Sequence, residues 1–92
     1  MSKLRLAPTI ADTAPADPSL TGYDKQHLAI YLRLLDADTE HADWRDVAKI
    51  VLRIDPDREP ERARSAFDTH LARAKWMIER GYAHILRGKI EN

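Results

Sequence analysis

The stretch Trp44-Arg-Asp-Val-Ala-Lys-Ile-Val-Leu52, followed by Arg53-Ile-Asp-Pro-Asp-Arg-Glu-Pro60 and Glu61-Arg-Ala-Arg-Ser-Ala-Phe-Asp-Thr-His-Leu71, reads as two helices joined by a turn. In the first, Trp44, Val47, Ala48 and Val51 fall at the i, i+3, i+4, i+7 spacing of one buried face, and Asp43 stands where a cap is needed. Pro56 pushes Asp55 into an extended conformation, so the helix cannot continue through it. Pro60 suits a first helical turn, which starts the next helix between Arg58 and Pro60 with Asp57 as its expected cap. The connection is then about five or six residues, against about three to four in the ordinary helix-turn-helix. The pattern is an extended-turn variant.

Outward from this pair, the third helix carries Ala63, Phe67, His70, Leu71, Ala74 and Ile78 on one stripe and is expected to end at Gly81. A short last helix, Tyr82 to Arg87, offers Tyr82, Ile85 and Leu86 to close the core. Upstream, Thr21 and Asp24 have the spacing of an acidic capping box, which opens a first helix over 22–38. Asp36, Asp38 and Glu40 oppose the macrodipole at its C-terminal end and are expected to stop it there. Residues 1–20 contain Pro8, Pro15 and Pro18 and show no sustained period, so they read as a disordered tail. The loose alternation of Leu4, Leu6 and Ile10 leaves open an extended strap docked on the domain. The expected organisation is all-α: a tail over 1–20, a four-helix domain over 21–88 and a C-terminal tail over 89–92.

The first helix has two apolar stripes. Leu28, Tyr31, Leu32 and Leu35 form one; Tyr23, His27, Ile30 and Leu34 form the other, and together they span an arc of about 200°, wider than one neighbour covers. Either the later helices or the tail wrap the second stripe, or Tyr23, His27, Ile30 and Leu34 are a partner-binding surface.

Composition narrows the function classes. Fifteen basic and fifteen acidic residues leave no net charge, hence no global attraction to nucleic acid or to anionic lipid. No apolar run approaches the roughly 20 residues of a membrane span, and the N-terminus lacks the apolar core of about 7–15 residues of a secretory signal. The absence of cysteine fits a reducing compartment, and the expected location is the cytoplasm. Asp36-x-Asp38-x-Glu40 and Asp55-x-Asp57-x-Glu59 have the first oxygens of a calcium loop but lack the glycine and the distal glutamate it requires. His27, His41, His70 and His84 are never three or four apart, which argues against zinc. There is no phosphate-cradling glycine loop and no nucleophile turn, so no enzyme, cofactor or small-molecule ligand is expected.

Between Asp55 and Asp68 five acids (Asp55, Asp57, Glu59, Glu61, Asp68) face three bases (Arg58, Arg62, Arg64). DNA readers concentrate cations where turn and second helix meet phosphate, so direct nucleic-acid binding is not expected. Asp55, Asp57, Glu59 and Glu61 are instead candidates for an acidic partner-binding turn. If DNA were read, the face of Arg62, Ser65, Thr69, Ala72 and Trp76 would enter the groove.

Tyr31-Leu-Arg-Leu-Leu-Asp36, Asp43-Trp-Arg-Asp-Val-Ala-Lys-Ile-Val-Leu-Arg-Ile-Asp-Pro56, His70-Leu-Ala-Arg-Ala-Lys-Trp-Met77 and Gly81-Tyr82 together resemble a family carried on proteobacterial mobile elements, the QseM-like extended-turn helix-turn-helix proteins. The resemblance covers about residues 20–88. It implies an antiactivator that sequesters transcriptional activators of the FseA-like and TraR-like kinds by mimicking a domain of the activator itself, so restraining transfer of an integrative and conjugative element. It supplies no interface residues. The alternative is a small DNA-binding regulator that uses the third helix.

Overall fold

The computed structural model describes residues 9–81, with side-chain exposure described to residue 80. In order come α1 (Gly22–Gln26), α2 (Leu28–Thr39), α3 (Trp44–Val47) with a π-helical continuation over Ala48–Leu52, and α4 (Pro60–Trp76) with a π-helical continuation over Met77–Gly81. The described residues contain no strand, and the architecture is all-α. The expected last helix, Tyr82 to Arg87, and the tail over 89–92 lie outside the described residues.

Local chemistry accounts for most boundaries. The Thr21 hydroxyl accepts from the Asp24 amide while the Asp24 carboxylate accepts from the Thr21 amide, a complete capping box. The single first helix expected over 22–38 is broken at His27, whose backbone leaves helical values at φ −113° and ψ 19°. Its ring Nδ1 lies 2.6 Å from the Tyr23 carbonyl and competes there with the helical backbone bond. At the far end of α2, His41 adopts a left-handed φ of 59°. The bonds His41 N→Asp38 O and Ala42 N→Ala37 O then close a Schellman motif without a glycine. α2 ends at Thr39 with Glu40 as its C-cap, where Asp36, Asp38 and Glu40 are expected to stop it, and Lys75 of α4 stands 3.3 Å from Asp38.

Asp43 caps α3 through the Arg45 amide. The helix pair is separated by Arg53–Glu59, opened by Arg53 at φ 61°. Asp55 organises this turn, its side chain accepting from Asp57 N and its carbonyl from Arg58 N and Glu59 N. The expected cap of α4, Asp57, is corrected: Glu59 is the N-cap residue, without a side-chain bond, and Pro60 is at N1 because it needs no amide partner there.

The core gathers Ile10, Ile30, Leu34, Val47, Ala48, Leu52, Ile54, Ala63 and Ala66, with Trp44, Phe67 and Leu71 half-buried at its rim. Alanines at 63, 66 and 74 let α4 approach its neighbours closely. Phe67 and Leu71, expected at the centre of the α4 stripe, are therefore peripheral, while Ile78 is exposed.

Residues 9–20 are not the free tail expected over 1–20. They form a strap whose Ile10 enters the core and whose backbone bonds to Tyr23 of α1, to His27 between α1 and α2, and to α4. The two stripes of the first helix are not buried alike. Ile30, Leu34 and His27 are buried and Tyr23 half-buried, whereas of the other stripe Leu28 and Leu32 face out, Leu32 with 59% of its surface exposed, Leu35 is half-buried and Tyr31 is fully buried. The stripe expected as a partner surface is thus interior in the free domain. The strap and α4 cover it, one of the two outcomes its width allowed.

Candidate nucleic-acid interface

The helix α4 has three working sides. Its inner side anchors the domain through a polar network. The Asp24 carboxylate accepts from Arg73 Nε (3.1 Å) and Nη2 (2.7 Å), from the Tyr31 hydroxyl (2.6 Å) and from Thr21. Arg73 also donates to the strap carbonyls of Asp17 and Ser19, and its guanidinium lies 3.9 Å over the Trp76 ring. Burial pushes the Asp24 pKa up, but the bonds from Arg73, Tyr31 and Thr21 outweigh it and hold the carboxyl well below the usual carboxylate range. Burial, with Asp24 beside it, drives the Tyr31 phenol far above its ordinary value.

His70 Nδ1 donates to the Ala66 carbonyl (2.8 Å), which leaves Nε2 to accept from the Tyr23 hydroxyl (2.6 Å). Tyr23 in turn accepts from the Ala11 amide of the strap. Burial pushes the His70 pKa down, with the Ala66 carbonyl pulling the other way. Among the described residues, no buried side-chain nitrogen or oxygen lacks a partner. These groups are satisfied structural elements.

The outward side presents Glu61, Arg64, Ser65, Asp68, Ala72 and Lys75 to solvent. Arg64 Nε donates to Asp68 at 3.1 Å, and its guanidinium lies 4.9 Å from the centre of the Trp44 ring. Arg45 approaches the same indole at 5.0 Å. Trp44 itself leans on Phe67 with centroids 6.3 Å apart. Two cations are thereby fixed at the junction of α3 and α4 by a ring that is itself wedged in place. Beside them runs an open groove of about 580 Å³ lined by Trp44, Pro60, Arg64, Ser65, Asp68 and Thr69 among others.

The third side is under the strap. Arg62 Nε donates to Asp12 at 2.7 Å and its Nη1 to both oxygens of Glu59, while the Ala14 amide donates to Thr69 Oγ1 at 3.1 Å. Hydrogen bonds from Arg62 to Asp12 and Glu59 raise the Arg62 pKa, which keeps the guanidinium charged.

The acidic turn is dispersed rather than clustered. Asp55 is committed to the turn backbone and Glu59 to Arg62, leaving Asp57 and Glu61 exposed. Sequence reasoning missed Arg73, Arg45 and the strap contacts. Asp24 was read only as a helix-start residue, and nothing in the linear pattern pairs it with a partner 49 residues away.

Residues 2–87 of the chain match the family described as the DNA-binding domain of a T6SS transcription factor, RovC DNA-bd. The chain belongs to this family of transcriptional-regulator domains. No curated protein matches it. The matched segment begins well ahead of Thr21 and includes the strap.

Membership in a family of DNA-binding domains overturns the expectation that the chain does not bind nucleic acid. The physical reason lies in how charge was counted. A window from Asp55 to Asp68 adds turn acids, committed to backbone and to Arg62, to those of the helix face, and it omits Arg45. No helix among the described residues is long and apolar enough to cross a membrane.

Proposed function

We propose that the domain reads duplex DNA for a cytoplasmic transcriptional regulator, with the outward side of α4 in the major groove. The observation that carries this reading is the placement of Arg64, Ser65, Asp68 and Ala72 on one exposed side of α4, with Arg64 and the neighbouring Arg45 both braced on Trp44. Arg64 matches the acceptor pair of guanine, Asp68 the amino group of cytosine, and Ala72 a thymine methyl. Arg45, at the start of the first helix of the motif, reaches towards phosphates, as positioning residues do. Acids on the reading side then serve selectivity at the expense of non-specific affinity.

With so few free cations, binding should release few counterions. Fluorescence-anisotropy titrations on duplexes selected from a random pool should give a log–log salt slope of about −2 to −4, shallow for a DNA reader. Arg64→Ala should weaken binding and relax base preference, by about 1–3 kcal/mol if it is a bidentate base contact. Arg45→Ala should weaken binding evenly across sequences. Failure to select any duplex at low salt sinks the proposal.

A second reading is an antiactivator that sequesters FseA-like or TraR-like activators by domain mimicry, controlling conjugative transfer and quorum-sensing output. The pairing of Arg62, Arg64 and Lys75 with carboxylates favours it, since those cations are already neutralised in the free domain. Co-purification of an activator with the domain, abolished by added duplex DNA, would show the two roles sharing one surface.

A further inference from the structure

We propose that the middle of the strap, residues 11–16, is a built-in competitor for DNA: it covers Arg62 and Thr69, which are phosphate-contact residues held in reserve on the side of α4 next to the reading face. The proposal rests on DNA reading by α4.

Arg62 precedes Ser65 by three residues and Thr69 by seven, so the three lie along one flank of the helix. In the free domain its Nε and Nη1 already meet carboxylate oxygens, as they would meet those of a phosphate. Asp12 takes Nε at 2.7 Å and Glu59 takes Nη1 at 3.0 and 3.1 Å, each an oxygen anion meeting the planar fork. Thr69 is likewise spent, since Oγ1 donates to the Ser65 carbonyl at 2.9 Å and accepts the Ala14 amide at 3.1 Å. The strap segment Ala14–Pro18 walls a groove of about 360 Å³ against Thr69, Ala72, Arg73 and Trp76. Its Ala14–Ala16 part stands beside Thr69, on the flank that a helix in the major groove turns towards phosphate.

The two ends of the strap are held differently from its middle. At one end Ile10 is in the core; at the other the carbonyls of Asp17 and Ser19 bind buried Arg73. Between them, Asp12 and Arg62 are 71% and 40% exposed, and Pro15 has no amide to donate. A solvent-facing ion pair contributes little, so a phosphate that also releases counterions can displace it while both anchors stay in place. The middle lifts as a loop, and the core stays intact.

The test uses the full chain and a duplex selected as above, at fixed salt. Asp12→Asn should tighten binding about 2- to 5-fold, the range of one exposed ion pair. Asp17→Asn removes the same charge from the same strap without touching Arg62, and it should give less than half that gain. In an Asp12→Asn/Arg62→Ala double variant the gain should vanish. Amide hydrogen exchange gives a second readout, with the Ala14 amide exchanging faster in the DNA complex than in the free domain. Equal gains from Asp12→Asn and Asp17→Asn, or an Ala14 amide that exchanges more slowly on DNA, would overturn the competitor role and leave DNA reading standing. Absence of DNA binding by the parent and every variant would overturn both.

Discussion

Two arginines of α4 each hold an aspartate of an earlier segment, and they show opposite uses of the same ion pair. Arg73 and Asp24 are 5% and 1% exposed, joined by two bonds, with Tyr31, Thr21 and two strap carbonyls completing the set. Arg62 and Asp12 meet at the same 2.7 Å but in water. Distance is identical; burial is not. A pair cut off from solvent must keep every partner, because losing one strands a charge. A pair in solvent exchanges its partner at small cost, which suits a surface that has to accept phosphate.

The largest expected effect breaks or upholds this contrast directly. Arg73→Ala or Asp24→Ala should cost about 3–5 kcal/mol in urea unfolding, by leaving an uncompensated buried charge. That is a large share of the total of about 5–14 kcal/mol typical of a chain this long. Asp12→Ala should cost about 1 kcal/mol or less. The Asp24 pKa is lowered on folding, so its contribution is fully present above about pH 4, the value in the unfolded chain, and is lost as pH falls below it. The parent should therefore lose stability below about pH 4 with a slope that Arg73→Ala lacks. Equal costs for the two aspartates would end the contrast.

The apolar residues of α2 sharpen it next. Leu34 is fully buried and Leu32 points outward, two positions apart in sequence. Thermal melts should show Leu34→Ala losing about 2–5 kcal/mol and Leu32→Ala within about 0.5 kcal/mol of the parent.

His70 carries the contrast to a titrating group. Its pKa is lowered on folding, chiefly by desolvation, so stability is full above the unfolded value of about 6.5 and declines as pH falls below it. Urea unfolding at pH 7.5 and 5.5 should give a difference that His70→Phe reduces, even though the variant itself is less stable at both. A parent equally stable at both values would mean that His70 is protonated without penalty.

The smallest effect is at the surface, where backbone rather than partners sets the outcome. His41 and Arg53 hold φ of 59° and 61°, where a Cβ is strained. Glycine at either site should raise stability by about 0.5–1 kcal/mol once its greater freedom in the unfolded chain is subtracted. A loss would show that one of these side chains contributes more than its backbone costs.

Legibility followed the range of the interaction involved. The capping box at Thr21, the Asp43 cap and the proline at the start of α4 were readable because each acts within three residues. The break at His27 was not, since a helix-compatible pattern runs straight through it and the cause is one ring bonding back to Tyr23 while facing the Thr9 carbonyl. The two stripes of the first helix were visible together, but their exposure depended on the strap. A proline-bearing segment without periodicity reads as disorder whenever its few anchors, here Ile10 and the carbonyls on Arg73, cannot be seen from sequence. The cations braced on Trp44 and the pairing of Arg62 with Asp12 were not legible, because each joins residues far apart in sequence or on different helices.

By itself, then, the order of residues determined the all-α class, the extended-turn pair and most helix ends, because helical periodicity and capping depend on neighbours a few positions away. Only the tertiary structure decided which charges are spent and which are available. A carboxylate counts against DNA binding only if it remains unpaired on the reading side. Pairing across 49 residues, as between Arg73 and Asp24, or 50, as between Arg62 and Asp12, is settled by how the strap and α4 pack.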